Sequence, residues 1–345
     1  MNRRRMPAAL LVLIDVLLTG ATLVVFALFH HVIPQEFADV PVDIIQSQSA
    51  TDTVSKADVE LITVPVKPAD YTIKPDNTIL DMRTDWQKKF EDKFSKEPVW
   101  TENSYKSPNV SITIDTITKG SGDDTLTYHF ADIYIGNIEC FQRYFAKNKY
   151  GFVVLEKTID MDIASDALIA ISGDYYGNTR ESGVVIKNGQ FYRSKKTDAD
   201  ICILYKDGVM ETYPYKEFDI NKALERGAYQ SWSFGPALLD SEGKAITKFT
   251  GYAKKISGMN PRSSVGYFEP GHYCFITVDG RQNGYSRGAR MYELSQIYAD
   301  LGCKAAYNLD GGQTAVMTFH DRIFSKPADG GRRVSDILLI KEVEK

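Results

Sequence analysis

The sequence predicts an α+β protein: a single globular domain with a dominant mixed β-sheet flanked by a few helices, preceded by an N-terminal transmembrane helix and an extended linker. Three observations carry this. Arg3, Arg4 and Arg5 precede a mostly apolar run over residues 10–29, long enough for a helix to cross hydrocarbon. Residues 34–80 are polar, dotted with prolines and without sustained periodicity. Beyond residue 108, short β-type runs follow one another between turn signals, with only two helical stretches among them.

The apolar run reads as an uncleaved anchor. A cleavable signal peptide is the competing reading, but its apolar region normally spans only about 7–15 residues, and no small-x-small site follows before His30 and His31. Lys and Arg are retained on the cytoplasmic side, so arginines ahead of the span place residues 34–345 outside the cell membrane. Asp15 sits within the span, where a carboxyl group is costly and marks either a helix partner or a reach toward the interface. Three segments follow: the basic end and anchor (1–33), a linker or stalk (34–107) and the globular domain (108–345). Within the stalk, Trp86, Phe90 and Phe94 at four-residue spacing give TDWQKKFEDKFS (84–95) the apolar stripe of a short helix, one suited to docking on the domain.

In the domain, SITIDTI, LTYHFADIYI, GFVVLEK, ALIAISG, SGVVIKNGQFY, ADICILYKDGVMETY, SVGYFE, YCFITVDG, AAYNLDGG and VSDILLI read as strands, with KNG, KDG and VDG as turns. IECFQRYFAKNK and YELSQIYADLGCKA read as helices, the second with Leu294, Ile297, Tyr298 and Leu301 on one stripe. Apolar residues make up 43% of the chain, enough for a sizeable core, and the net charge of −4 includes the basic amino terminus, so the outer part is more acidic and ill suited to nucleic acid. Cys140, Cys202, Cys274 and Cys303 show no CxxC zinc spacing; they read as buried thiols, with one disulfide as the alternative.

NLDGGQTAVM (308–317) interrupts two runs that want burial. Asp-Gly alone signals a hairpin turn, because positive φ costs glycine nothing. In company, the decapeptide reads differently. ISGDYYG (171–177), WSFGPALL (232–239), NPRSSVGYF (260–268), VDGR (278–281), SRGARMYELSQIYADLGCKAAYNLDGGQTAVM (286–317) and GGRRVSDILLI (330–340) occur in one series. This series resembles the phosphodiester glycosidase family, whose best-known members are the lysosomal or Golgi "uncovering" enzymes that remove N-acetylglucosamine from a phosphodiester; many bacterial members are associated with exopolysaccharide. The resemblance covers roughly residues 108–343 and is densest over 260–340. The chain departs from the family where a third glycine, a serine and a threonine usually follow NLDGG and here stand Gln313, Thr314 and Ala315, and at Ser172, often Asn in the family. These positions are expected to line the sugar pocket, so the departures bear on the substrate.

The residues make chemical sense on their own terms. Cleavage between an anomeric carbon and a phosphate oxygen passes through an oxocarbenium-like state that calls for a carboxylate near C1. The leaving phosphate is already a stable anion, so the heavier demand is for cations or N–H groups that hold its charge. Asp174, Asp279 and Asp310, each at the end of an apolar β-type run, are the candidate catalytic carboxylates. Arg262, Arg281 and Arg332 are the candidate phosphate ligands, since guanidinium groups bind phosphate oxygens in pairs. Gly173, Gly311 and Gly312 would admit close backbone approach, Tyr175 and Trp232 would stack on a sugar face or simply pack, and Asn308, Gln313 and Thr314 complete the candidate pocket. Strand alternation would turn Asn308 and Asp310 to one side and bury Leu309 on the other. Asp279 also fits a plain hairpin, and His129 a core histidine.

No cofactor and no structural metal are expected, a weakly held divalent cation bridging phosphate and Asp being the one variant. The expected function is a membrane-anchored, extracellular hydrolase that cleaves a sugar-1-phosphodiester in a cell-surface glycan; the alternative is a non-catalytic glycan-binding or exopolysaccharide assembly protein on the same fold.

Overall fold

The computed structural model describes residues 83–177 and 182–343. The expected membrane span lies outside these residues; among those described, no helix is long and apolar enough to cross a membrane.

The sheet-dominated α+β class with few helices is what the chain adopts. Strands β1 (Val99–Trp100), β2 (Ser104–Lys106), β3 (Val110–Lys119), β4 (Leu126–Ile135), β12 (Arg262–Glu269), β13 (His272–Val278) and β14 (Ala305–Asn308) form a seven-stranded sheet in the order β1-β2-β3-β4-β13-β12-β14. A five-stranded sheet runs β16-β15-β6-β17-β5, from β5 (Phe141–Phe145), β6 (Ile169–Ser172), β15 (Met317–Phe319), β16 (Arg322–Ile323) and β17 (Asp336–Ile340). A three-stranded sheet holds β9 (Ile201–Tyr205) between β10 (Met210–Tyr213) and β11 (Ala228–Trp232), and β7 (Gly183–Lys187) pairs with β8 (Gln190–Lys195) as a hairpin through the KNG turn. The described pairings are antiparallel: β1–β2, β3–β4 and β12–β13 are joined by short turns, while β17 pairs with the sequence-distant β5 and β6.

The main core lies between the two larger sheets. Val110, Ile112 and Ile114 alternate inward from β3 and meet Ile169 and Ile171 of β6 and Leu338 and Ile340 of β17. Helix α5 (Met291–Asp300) covers the other face of the seven-stranded sheet, placing Leu294, Ile297 and Tyr298 on Cys274, Ile276 and Val278. Leu301, counted in the same stripe from sequence, falls past the helix end and is exposed. Helix α2 (Thr158–Ser165) backs the five-stranded sheet through Met161.

Near the amino terminus, α1 (Asp85–Lys89) opens on a reciprocal cap in which the Thr84 hydroxyl accepts from Gln87 N–H and the Gln87 side chain accepts from Thr84 N–H. Its Trp86 and Phe90 pack on the sheet, and β1 and β2 extend that sheet, so residues 83–107 are built into the same fold as β3. IECFQRYF is not an α-helix: after one 3-10 turn at Ile138–Cys140 it becomes β5, from which Phe141, Arg143 and Phe145 face inward while Gln142 and Tyr144 face outward. The four cysteines are free and buried, and Cys274 and Cys303 bring their sulfurs to 3.8 Å.

Candidate active site

The two larger sheets meet where β14 and β6 end. The Asp310 N–H donates to Gly173 O at 3.0 Å, and Leu309, fully buried, donates to Ser263 O at 2.8 Å. These bonds draw the carboxyl groups of Asp310 and Asp174 into one cleft of about 300 Å³. Its floor and walls include Tyr175, Ser233, Phe234, Tyr252 and Arg332.

Asp310 is 6% exposed, and one of its oxygens, Oδ2, makes no hydrogen bond. The nearest cation is Arg332, whose Nη2 is 3.9 Å away, too long for a hydrogen bond but close enough for electrostatic attraction. Burial pushes the Asp310 carboxyl up to about 7, against the opposing pull of Arg332 and the Thr314 hydroxyl. Arg332 itself is half exposed, lies 5.7 Å from the centre of the Tyr175 ring, and has its N–H fixed on Gln313 O at 2.9 Å. A buried carboxyl with an unpartnered oxygen and a half-exposed guanidinium therefore share one cleft.

Asp174 is held more firmly. Its oxygens accept from Ser233 N–H at 2.9 and 3.0 Å, and Arg143 Nη2 stands 3.5 Å away. Arg143 is fully buried and bonds Asp336 Oδ2 at 2.7 Å and Ser231 O at 2.5 Å, while Asp336 Oδ1 accepts from Asp174 N–H at 2.9 Å. Burial raises both carboxyls of this Asp174–Arg143–Asp336 unit, and Arg143 opposes the rise. Gly173 serves this unit: a Cβ there would lie 2.4 Å from Asp336 Oδ2, so the glycine admits Asp336, not a ligand.

The other expected site residues lie elsewhere. Asp279 is buried and accepts from Tyr285 OH and Lys326 N–H, with His129 Nε2 at 2.8 Å, a self-contained cluster outside the cleft lining. Trp232 is fully buried against Phe141 and presents no face to a sugar. Arg262 is buried and donates to Ala289 O and Gly258 O; burial and neighbouring Arg281 push it down to about 10. Arg281 donates to Asn260 Oδ1 at 2.8 Å, and its guanidinium lies against Gly312 on the side of the loop facing Asn260. Asn308 is buried and donates to Gly235 O at 2.8 Å, so it shapes the 233–237 loop and leaves the cleft to Asp310. Gln313 binds Asp329 Oδ2 at 2.7 Å, and Thr314, fully buried, closes the loop onto Gly311 O at 2.6 Å. The Gly312 N–H donates to Pro261 O at 2.9 Å and is not offered to a ligand; a Cβ on Gly311 would lie 2.7 Å from that same carbonyl. The glycines pack loop against strand, and their steric freedom serves the fold that holds Asp310.

Arg143 and Asp336 were not singled out from sequence. An arginine at an inward position of the alternating FQRYF run requires a buried carboxylate partner, which would have pointed to Asp336 at the start of SDILLI. Tyr252 stands in the short helix α4 (Gly251–Lys255), where no motif marks it.

Fold and cleft define a sheet-dominated α+β protein with three aspartates, Asp174, Asp198 and Asp310, and a guanidinium lining one cavity. The chain belongs to the phosphodiester glycosidase family, whose model matches residues 165–341. It is similar to the SPbeta prophage-derived uncharacterized protein YomE of Bacillus subtilis (strain 168), 28% identical over 197 residues, which span 55% of this chain and 30% of that relative. Among solved structures, its fold is similar to the catalytic domain of zebrafish N-acetylglucosamine-1-phosphodiester alpha-N-acetylglucosaminidase, auto-inhibited by its pro-peptide, with a TM-score of 0.56 and 19% identity over 69% of this chain and 85% of that one. A hypothetical protein from Synechocystis matches with a TM-score of 0.51 and 11% identity over 68% of this chain and 62% of that one.

Proposed function

We propose that the protein hydrolyses a sugar-1-phosphodiester of the N-acetylglucosamine-phosphate type in a cell-surface glycan. The observation that carries this reading is the unpartnered Oδ2 of buried Asp310 facing half-exposed Arg332 within one cleft. Arg332 takes the phosphate charge through paired N–H donors, and Tyr175 beneath it limits the swing of the guanidinium. The Asp310 carboxylate stands against C1 and stabilises the cationic character that develops as the C1–O bond breaks. The phosphate monoester leaves as an anion, and water supplies the hydroxyl that ends on C1. Asp174, fixed by Ser233 N–H and Arg143, holds the opposite wall and orients the sugar hydroxyls.

Sugar release from a panel of phosphodiester-linked N-acetylglucosamine substrates tests the reading. Arg332→Ala should lower kcat/KM by about tenfold or more, mainly through KM, and Arg332→Lys should restore only part, because an ammonium lacks the two-pronged geometry. Binding without turnover across the panel would instead favour a glycan-binding protein. The reading includes an address: the basic end and apolar run at residues 1–33 anchor the chain with its domain outside the cell membrane. Protease added to intact, wall-stripped cells should then remove the domain, and its protection would overturn the orientation.

A further inference from the structure

The second half of β3 has a neighbouring strand on only one side. Over its whole length, Val110–Lys119, β3 pairs with β4 in a continuous register without a bulge. On the other side β2 reaches only Ser111, Ile112 and Thr113, after which Asn103 bonds both the N–H and the carbonyl of Ile114 where the β1–β2 hairpin turns away. Alternate residues of an antiparallel strand point their backbone polar groups to the same side. Those of Thr116 and Thr118 therefore turn the same way as those of Ile114, toward an edge on which no described strand lies. Asp115, Thr116, Thr118 and Lys119 are exposed and Ile117 is half-buried. The stretch is straight and free of the prolines and bulges that ordinarily blunt an open edge.

The same stretch, DTITK, is complementary to itself. Laid antiparallel against a second copy about a two-fold axis at Ile117, Asp115 faces the partner's Lys119, Thr116 faces the partner's Thr118, and Ile117 faces the partner's Ile117. The threonine pairs then exchange the open backbone hydrogen bonds, while the pairs at 115, 117 and 119 are the close, non-hydrogen-bonded kind, so an isoleucine contact is flanked on each side by opposite charges. Among the described residues neither Asp115 nor Lys119 forms an ion pair within the chain; Lys119 lies only over the Tyr128 ring, at 5.8 Å. At the next position the partner's own Asn103 fills the edge, and there Gly120, at φ +77°, turns the chain away. We propose that the open half of β3 is a dimerisation surface for a second copy of this chain, joined strand to strand about Ile117. β14, which leads into Asp310, is the opposite edge of the same sheet, so both clefts stay open and the dimer does not depend on the reaction proposed above.

The two-fold sets residue 117 against itself within reach of a disulfide, and separates the two copies of residue 115 by about 13 Å along the strands. Full-length Ile117→Cys protein, purified in detergent and oxidised with diamide, should become mostly covalent dimer, and Asp115→Cys should cross-link about fivefold less or lower still. The native cysteines are buried, and the parent protein gives the background. Adding Asp115→Lys or Lys119→Asp to Ile117→Cys opposes like charges and should lower the yield about fivefold; mixing the two singly reversed proteins should restore it, because each then meets the opposite charge. Thr118→Pro removes an N–H that faces only the open edge, so it should shift the parent from dimer to monomer in analytical ultracentrifugation with thermal melting nearly unchanged. If that variant does not fold, the charge reversals decide alone. Equal cross-linking at 115 and 117, or reversals without effect, would mean that the charges only guard the edge and would overturn the dimer. Association that every variant retains would trace to the apolar run at residues 10–29 and would overturn the β3 contact as well.

Discussion

Asp310→Asn is expected to abolish most turnover while making the folded protein more stable at alkaline pH. A positioned carboxylate of this kind contributes a factor of roughly 10² to 10⁴ in rate, so kcat should fall by that order. The stability change has the opposite sign because the carboxyl is buried beyond what Arg332 offsets, and its folded value lies near 7 where an exposed Asp lies at 3.8. The folded state then holds a proton between those values that the unfolded state has released. Stability therefore falls as pH rises from about 4 to about 7, and the penalty is complete above that window. Removing the charge should recover on the order of a few kcal/mol at pH 8 and little at pH 4. Asp162, buried in α2 and pushed up to about 7 by burial against the opposing Thr318 hydroxyl, adds a second dependence of the same sign that the variant retains. Activity, which needs the ionised carboxylate, should fall as pH drops through about 7. Urea melts at pH 5 and pH 8 beside single-turnover rates check both halves. An Asp310→Asn protein that keeps its activity per folded molecule would remove Asp310 from the chemistry.

That expectation refines what the sequence alone made legible. Strand alternation marks β3 and β4, where apolar residues turn to the core and polar ones away, whereas β12, β13 and β17 are buried on both faces and are legible as short apolar runs bounded by turn signals. The same rule was available for FQRYF, but Phe141, Tyr144 and Phe145 also fit a helical stripe, and length did not separate the alternatives. In the site, Asp310, Asp174, Tyr175 and Arg332 share the cleft, and they come from three loops up to 158 positions apart in sequence, from 174 to 332. No local pattern distinguishes them from Asp279, whose VDGR context is equally turn-like; only the presence of His129 and Tyr285 beside it decides that Asp279 is satisfied internally. Glycine is ambiguous for a related reason. A missing Cβ is required both where a ligand approaches and where protein approaches, and at Gly173 and Gly311 the approaching atoms are Asp336 Oδ2 and Pro261 O. Gly311 has φ of −125°, whereas Gly312 is the residue at positive φ, +66°. Alanine is thus excluded at 311 by the carbonyl and disfavoured at 312 by the backbone.

Arg143→Met should be among the most destabilising single changes in the domain. Arg143 is the cation between Asp174 and Asp336, and the three are buried together. A methionine fills much of the same volume, so the cost is electrostatic: two carboxyls remain in a low-dielectric interior with only the weaker pull of Arg193 on Asp174 as counter-charge. Breaking a buried pair by removing one partner typically costs about 3–5 kcal/mol. The carboxyls can escape part of this by taking up protons, so the loss should be larger at pH 8 than at pH 5. Arg143 also ties β5 to the Ser231 carbonyl of β11, and Ser233 two residues on holds Asp174 in the cleft. Turnover by the folded fraction should therefore drop as well, through misplacement of Asp174. Adding Asp336→Asn to Arg143→Met removes one of the stranded charges and should return part of the stability, giving an interaction free energy of about 1 kcal/mol or more in a double-mutant cycle. The cycle is measured by urea denaturation at both pH values. A loss below about 1 kcal/mol for Arg143→Met, or strict additivity of the two changes, would mean that water or backbone donors already satisfy these carboxyls and that the triad does not hold the site together.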